Sequence, residues 1–325
     1  MLLINNTTVE PYFNQAVEEY LLNNVADDIV MIWQNQNAII VGKHQNTLAE
    51  INFDFVNQNN IKVVRRLSGG GTVFHDLGNI NFTFIKKYEG QNPKIDFKKF
   101  LNPVVQMLHK YGINAMFSGK NDLLINGKKI SGNAEHIFHR QKKILHHGTL
   151  LFSSNLDFLR KSLSDNSAFY TDKAVKSIRS SVCNISDYLS ENTGVEHFKN
   201  EMIEYFKNLY PTIKTYNFTE SDRTMIKQIA GDKYSQWQWN YGYSPKYTFQ
   251  KKIETEMGNV EILFDVEKGN ISNVKIFLSF LPDAEIQNLN FALIGIEHKP
   301  EAIKNAINKL QLSNLKNIEF LNWFY

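Results

Sequence analysis

The chain has 325 residues, 42% of them hydrophobic and 21% charged, and its 36 Lys and Arg against 33 Asp and Glu leave a formal net charge of +3. That composition supports a full-sized core and excludes a disordered or fibrous chain, and so small a charge argues against a nucleic-acid sleeve or a membrane-hugging surface as the basis of function. Cys183, the single cysteine, allows no intramolecular disulfide and no cysteine-built zinc site, and fits a reducing compartment.

At roughly 100–200 residues per domain, the length suggests two domains or one large domain with an appendage. The start, Met1-Leu2-Leu3-Ile4-Asn5-Asn6, turns polar without a cationic leader, and no apolar run approaches the roughly 18–20 residues that span a bilayer. A soluble, cytoplasmic protein is expected, with no membrane and no nucleic-acid partner.

In chain order, Pro11–Asn23 carries Phe13, Ala16, Val17, Tyr20 and Leu21 at helical spacing, with Glu18 and Glu19 expected on the opposite face. Runs rich in β-formers at Ile29–Trp33, Ala38–Val41, Ile61–Val64 and Ile80–Ile85 predict strands of one sheet. Phe97–Tyr111 predicts a second amphipathic helix; Asp122–Ile125, Lys129–Gly132 and Ile144–Phe152 predict strands; Phe198–Leu209 and Glu220–Ile229 predict helices. An aromatic, turn-forming stretch from Trp237 to Pro245 marks a boundary. Residues 1–244 then form one domain and 245–325 a small α+β domain, with a meander at Thr248–Glu256, Val260–Val266 and Val274–Leu278 and two helical stretches including Ala302–Leu310.

The strongest motif is Arg65-Arg66-Leu67-Ser68-Gly69-Gly70-Gly71-Thr72-Val73-Phe74-His75-Asp76, wedged between two predicted strands. Three glycines let backbone N–H groups converge on an anion, and two arginines supply charge; a plain glycine hairpin with solvated arginines is the alternative. The chain contains no Gly-x-x-x-x-Gly-Lys-Ser/Thr, and Phe74 stands where a dinucleotide fingerprint needs its third glycine.

The second motif, Asn121 to Ala134, reads as a strand, a tight Asn126-Gly127 turn and a return strand. Simple alternation places Lys129, Ser131 and Asn133 on one face of that strand. An inward Lys129 is a phosphate or carboxylate ligand, since a buried lysine is costly without an anion, and Asp122 offers one carboxylate to Mg²⁺. His136, His139, His146 and His147 invite a metal reading, but match no metalloprotease order, and His146 and His147 would face opposite sides of a strand. Cys183 is a nucleophile or an inert small hydrophobe.

Together these segments resemble the lipoate-protein ligase family in its two-domain bacterial form. The likeness rests on Arg65–Phe84, on Gly119–Ala134 and on His146-His147-Gly148-Thr149-Leu150-Leu151, with support from Val41–Asn46, Ser177–Ser180 and Phe264–Gly269. It implies an α/β (α+β) fold: a mixed-sheet catalytic domain of the biotin/lipoate ligase type, related to class II aminoacyl-tRNA synthetases, followed by a small C-terminal accessory domain. It implies that lipoate and MgATP give lipoyl-AMP, which a lysine of an apo lipoyl domain attacks. The acceptors would be 2-oxoacid dehydrogenase E2 subunits and the glycine cleavage H protein.

Carried onto this chain, the resemblance assigns Arg66, Gly70, Gly71, Thr72, Val73, Phe74, Lys129, Ser131 and Arg179 to ATP and lipoyl-AMP. It assigns Gly71, Lys129, His147 and Gly148 to lipoate, Lys129 to catalysis and Asp122 to Mg²⁺. Arg179-Ser180-Ser181-Val182-Cys183-Asn184 departs from the family's Arg-Ser-Arg-Val-Thr-Asn, in a loop expected to close over the adenylate. An octanoyl or lipoyl transferase acting through a thioester would have to use Cys183. A biotin ligase would show Gly-Arg-Gly-Arg, and a nonenzymatic lipoyl-binding protein would not need the intact Arg66, glycines and Lys129.

Overall fold

The computed structural model describes residues 1–119, 121–163, 166–189, 193–310, 312 and 320–325. Lys120, inside the Gly119–Ala134 motif, lies outside them. The chain divides into two units. The first comprises Met1–Lys43, Ile61–Arg160 and Ser177–Ser235; the second comprises His44–Asn60, Lys161–Lys176 and Gln236–Tyr325.

Among the described residues the strands are β1 (Leu2–Asn6), β2 (Ile29–Trp33), β3 (Ala38–Val41), β4 (Lys62–Arg65), β5 (Val73–His75), β6 (Asn79–Lys87), β7 (Met116–Ser118), β8 (Asp122–Ile125), β9 (Lys128–Phe138) and β10 (Lys143–Leu151), then β11 (Tyr170–Asp172), β12 (Lys214–Thr215), β13 (Tyr247–Thr255), β14 (Gly258–Glu267) and β15 (Asn270–Leu278). The helices are α1 (Pro11–Asn24), α2 (Thr47–Glu50), α3 (Phe53–Gln58), α4 (Phe97–Lys110), α5 (Leu156–Ser162), α6 (Val195–Leu209), α7 (Glu220–Ile229), α8 (Asp283–Leu293) and α9 (Pro300–Lys309). No described helix is long and apolar enough to cross a membrane.

The first unit is built on a mixed eight-stranded sheet of order β12-β1-β2-β6-β10-β9-β8-β7, in which β1 runs parallel to both neighbours and the remaining pairs are antiparallel. Alternation along the strands sends Val30, Ile32, Phe82 and Phe84 into one core with Leu101 and Val104 of α4 and Phe198, Met202 and Phe206 of α6. Burying each such large side chain contributes about 1.5–3 kcal/mol.

Two sequence expectations change here. The four early strands do not share one sheet: β2 and β6 lie in the eight-stranded sheet, while β3 and β4 join β5 in a separate three-stranded sheet of order β4-β3-β5. The redirection occurs between β2 and β3, where the Asn14 amide donates to Gln34 O and Asn35 Oδ1 and pins the connecting backbone. Apolar runs specify strands, not partners.

Helix α1 does not leave Glu18 on a solvated face. Glu18 is 0% exposed, and Asn14 and Gln15 are also buried, because the helix is packed on several sides; Glu18 and Asn14 are hydrogen-bonded there instead of solvated.

In the second unit the expected meander is present as β13-β14-β15, antiparallel, with β11 added at the edge. Ile262, Ile276 and Leu278 gather with Leu289 of α8 and Ile307 of α9 in its core, and Phe249 stacks on Phe264 at 4.9 Å. His298 is fixed there, with Nδ1 against Tyr247 Oη at 2.6 Å and Nε2 donating to Phe324 O at 2.8 Å.

Candidate active site

The glycine loop follows β4 and feeds β5. Gly70 adopts φ +88°, a conformation that suits glycine, and Gly71 lies so close to Ser177 that a Cβ would stand 3.0 Å from its Oγ. The loop is organised from beneath by Arg66, which is 5% exposed. Its Nη2 donates to Gly69 O at 2.6 Å and Gly71 O at 2.7 Å, its Nη1 to Ile40 O at 3.1 Å and its Nε to Ser68 Oγ at 3.1 Å. Burial pulls the guanidinium down to about 10, with Glu18 opposing the fall, so it keeps its charge at neutral pH. Arg66 thus spends four of its five N–H donors in shaping the loop. Arg65 is fully buried and donates to Gly42 O and Lys43 O.

Below Ser68 runs a buried chain of polar groups. Ser68 Oγ meets His147 Nε2 at 2.6 Å, His147 Nδ1 meets Glu18 at 2.9 Å, Thr83 Oγ1 donates to Glu18 at 2.8 Å, and Trp33 Nε1 donates to Thr83 at 2.9 Å. The sheet therefore fixes the loop through β10, α1 and β6. Sequence reasoning missed Glu18 and Ser68 here; the only signal was an acidic residue on α1 next to Val17 and one turn before Leu21 and Leu22.

Lys129 is the second residue of the return strand of the β8–β9 hairpin, where Asn126 and Gly127 both take positive φ in the expected tight turn. A β-bulge shifts the register between Leu123 and Leu124, leaving Ile130 without a partner. The alternation expected for Lys129, Ser131 and Asn133 is broken by that extra residue. Lys129 lies instead over Gly132, whose Cβ would stand 3.3 Å from Nζ and 3.7 Å from Val73 Cγ1, and Nζ pairs with Asp122 Oδ1 at 2.9 Å. Lys129 and Asp122 remain 22% and 25% exposed. Ala134 continues the same face, 3.8 Å from where a Gly70 Cβ would stand.

Ser131 and Gly148 belong to the other face. Ser131 accepts from Asn133 Nδ2 at 3.0 Å and is 1% exposed, and a Cβ on Gly148 would meet Asn133 Oδ1 and Phe82. Phe74, 2% exposed, packs against Phe158 at 5.9 Å.

The Ser177–Asn184 segment is tied to the same face at two points. Thr72 N donates to Ser177 Oγ at 2.8 Å, and Lys129 exchanges backbone bonds with Ser181 O and Cys183 N at 2.8 and 3.1 Å. Arg179 is exposed between these anchors. The structure so brings together the glycine loop, Val73, the Lys129–Asp122 pair and the segment that carries Arg179, and a lysine held there by one carboxylate is suited to meet an anionic substrate.

The histidines separate as alternation requires. His146 turns to α4, where it stacks on Phe100 and meets Glu135, and His147 turns to α1. His139 meets Tyr88 Oη and His136 lies against Phe138. No group of three or more His, Cys, Asp or Glu among the described residues could hold a metal ion. Cys183 is 5% exposed and burial raises its thiol pKa, opposing the thiolate that a thioester route needs.

Residues 10–207 match the family model described as the lipoyl protein ligase A/B catalytic domain, and residues 244–324 match that of the bacterial lipoate protein ligase C-terminus. The chain belongs to the lipoate-protein ligase family. It is 37% identical over 334 residues to the lipoate-protein ligase LplJ of Bacillus subtilis, covering 100% of both chains. With lipoate-protein ligase 1 of Staphylococcus aureus it shares 39% identity over 312 residues, 95% of this chain and 93% of the relative.

Among solved structures, LipL1 of P. falciparum in complex with lipoate aligns with a TM-score of 0.63 at 26% identity over 99% of this chain and 96% of that one. A lipoate-protein ligase A bound with ATP aligns with a TM-score of 0.62 at 23% identity over 74% and 98%, a likeness of fold. The mixed-sheet α/β ligase fold with a C-terminal domain is thereby established, and membership of this family makes the chain a ligase rather than a passive lipoyl binder.

Proposed function

We propose that this ligase activates free lipoate with ATP, forming lipoyl-AMP and pyrophosphate, and then transfers the lipoyl group to a lysine of apo lipoyl domains of 2-oxoacid dehydrogenase complexes and of the glycine cleavage H protein, in the cytoplasm. The observation that carries the reading is Lys129, a cation held on a rigid strand beside the glycine loop and restrained by a single carboxylate. Residues 1–244 would carry the chemistry and 245–325 an accessory role.

In the first half-reaction a lipoate carboxylate oxygen attacks the α-phosphorus and pyrophosphate leaves. Two anions must be brought together, so a fixed cation between them lowers the barrier. Lys129 Nζ is proposed to exchange its Asp122 contact for the substrate oxygens, holding both through the transition state. Thr72, Val73 and the backbone of Gly70 and Gly71 would line the nucleotide and acyl groups, with Arg66 keeping that wall in shape and Arg179 reaching the adenylate. His147, through Ser68, would set the loop's position against the acyl chain, while Ser131, Gly148 and Phe74 support the wall from behind.

Asp122 presents one partly exposed carboxylate, which fits a Mg²⁺ held chiefly by nucleotide phosphates. Bound there, Mg²⁺ would neutralise phosphate charge. In the second half-reaction the acceptor lysine amine attacks the acyl carbon and AMP leaves, so no enzyme nucleophile is needed.

The test is pyrophosphate release from MgATP and lipoate, with and without an apo lipoyl domain whose intact mass is followed. Release that depends on lipoate, with an acylated acceptor, is expected. Lys129→Ala should lose at least about 100-fold of that release while its circular dichroism stays unchanged. Full activity in that variant removes Lys129 from its role, and acylation only from a lipoylated or octanoylated donor protein would mean a transferase.

A further inference from the structure

A polar cavity of about 310 Å³ lies in the first unit where β1 and β12 meet α6 and the residues leading into α7. In the strand order, β1 is separated from the Lys129 strand β9 by four strand spacings, roughly 20 Å. Its volume falls at the small end of small-molecule sites.

The lining is layered by chemistry. Leu3, Ile4, Ile203 and Phe218, at 1%, 1%, 7% and 8% exposed, form its apolar floor. The accessible wall includes Asn5, Thr7, Thr215 and Asn217, all exposed amide or hydroxyl side chains.

The ionised side chains lining the cavity are Lys207 and Arg223. Lys207 is paired with Glu204 at 2.7 Å, out in solvent on the same helix. Arg223 has no side-chain partner among the described residues. The adjoining carboxylate, Asp222, cannot neutralise it: its oxygens accept from Tyr20, Tyr216 and the Thr219 backbone. A half-buried guanidinium without an anion beside a polar wall is the arrangement that phosphate recognition uses.

We propose that this cavity binds a small phosphate monoester bearing hydroxyl groups, with Arg223 and Lys207 on the phosphate and Asn5, Thr215 and Asn217 on the hydroxyls. A carboxylate with a long apolar tail fits less well, because the exposed side chains of the wall are amides and hydroxyls. Occupancy leaves the glycine loop and Lys129 free, so the site is separate from the ligase reaction.

Ribose 5-phosphate is the probe, titrated calorimetrically into the full chain, with ribose and inorganic phosphate in parallel arms. The wild type should bind ribose 5-phosphate saturably at about 1 mM or tighter, inorganic phosphate more weakly, and ribose not at all. Arg223→Gln should weaken binding about tenfold and Lys207→Gln by a smaller factor, both with wild-type lipoate-dependent pyrophosphate release, which also verifies folding. Absence of saturable binding to the wild type, or equal binding by all three proteins, overturns the site. Equal affinity for inorganic phosphate and the ester overturns the hydroxyl contacts.

Discussion

Gly148 shows how much one hydrogen atom can decide. A Cβ there would stand 1.8 Å from Asn133 Oδ1 and 2.5 Å from Phe82 Cζ, both in buried side chains that cannot retreat into solvent. Gly148→Ala is therefore expected to destabilise the protein by about 1–3 kcal/mol through overpacking, read as a lower melting temperature. Gly69→Ala is the matched control, because open space surrounds its Cβ position and its φ is not in the left-handed region. It should melt within about 0.5 kcal/mol of wild type, and equal losses in the two variants would contradict the packing argument. At this scale Lys129 and the glycine triplet were legible, since cation and glycines advertise their chemistry by type. The direction in which Lys129 points was not, because one bulged residue, Ile130, reverses the face of everything before it. Arg66 was legible as a cation near the loop, but only the structure shows it spent on carbonyl groups of the loop itself.

Between elements, the join of α1 to α7 turns on Asp222. Its carboxylate receives Tyr20 from α1, Tyr216 from the segment before α7, and the Thr219 backbone in a capping box. Burial would raise this carboxyl, yet those hydrogen bonds hold it down at about 2. A depressed carboxyl stabilises above its ordinary range and loses that contribution as pH falls through about 2. Asp222→Asn should cost about 1–3 kcal/mol at neutral pH, because one donor is left facing an amide that cannot accept it. Chemical denaturation would register the loss, and an unchanged midpoint with unchanged slope would count against the link. Most strands and helices were readable from periodicity, whereas sheet membership was not: β2 and β3 are equally apolar, and both are buried on both faces.

For the molecule as a whole, acid is the informative variable. His75 in the first unit and His298 in the second are fully buried, and that burial lowers them to about 3 and about 4. An unfolded chain takes up protons on both near pH 6.5, while the folded chain does not. Stability should therefore hold above pH 6.5 and fall below it, by up to about 1.4 kcal/mol per pH unit for each histidine, until its folded value is reached. Urea midpoints at pH 7.5, 6 and 5 should decline in that order; a flat series would show that neither ring is held neutral by folding.

The division into units also sets a schedule for synthesis. The chain passes from one unit to the other at residues 43/44, 60/61, 160/161, 176/177 and 235/236. His44–Asn60 emerges early, yet some of its partners, Asn240 and Ser244 for Thr47 and Tyr325 for Phe53, lie in Gln236–Tyr325 and are made much later. At about 5–20 residues per second, that segment waits on the order of 10–50 s beside a growing neighbour. A ribosome pausing late in the message would lengthen the interval in which Phe53 has no Tyr325 to stack on, leaving an aromatic side chain for chaperones to cover.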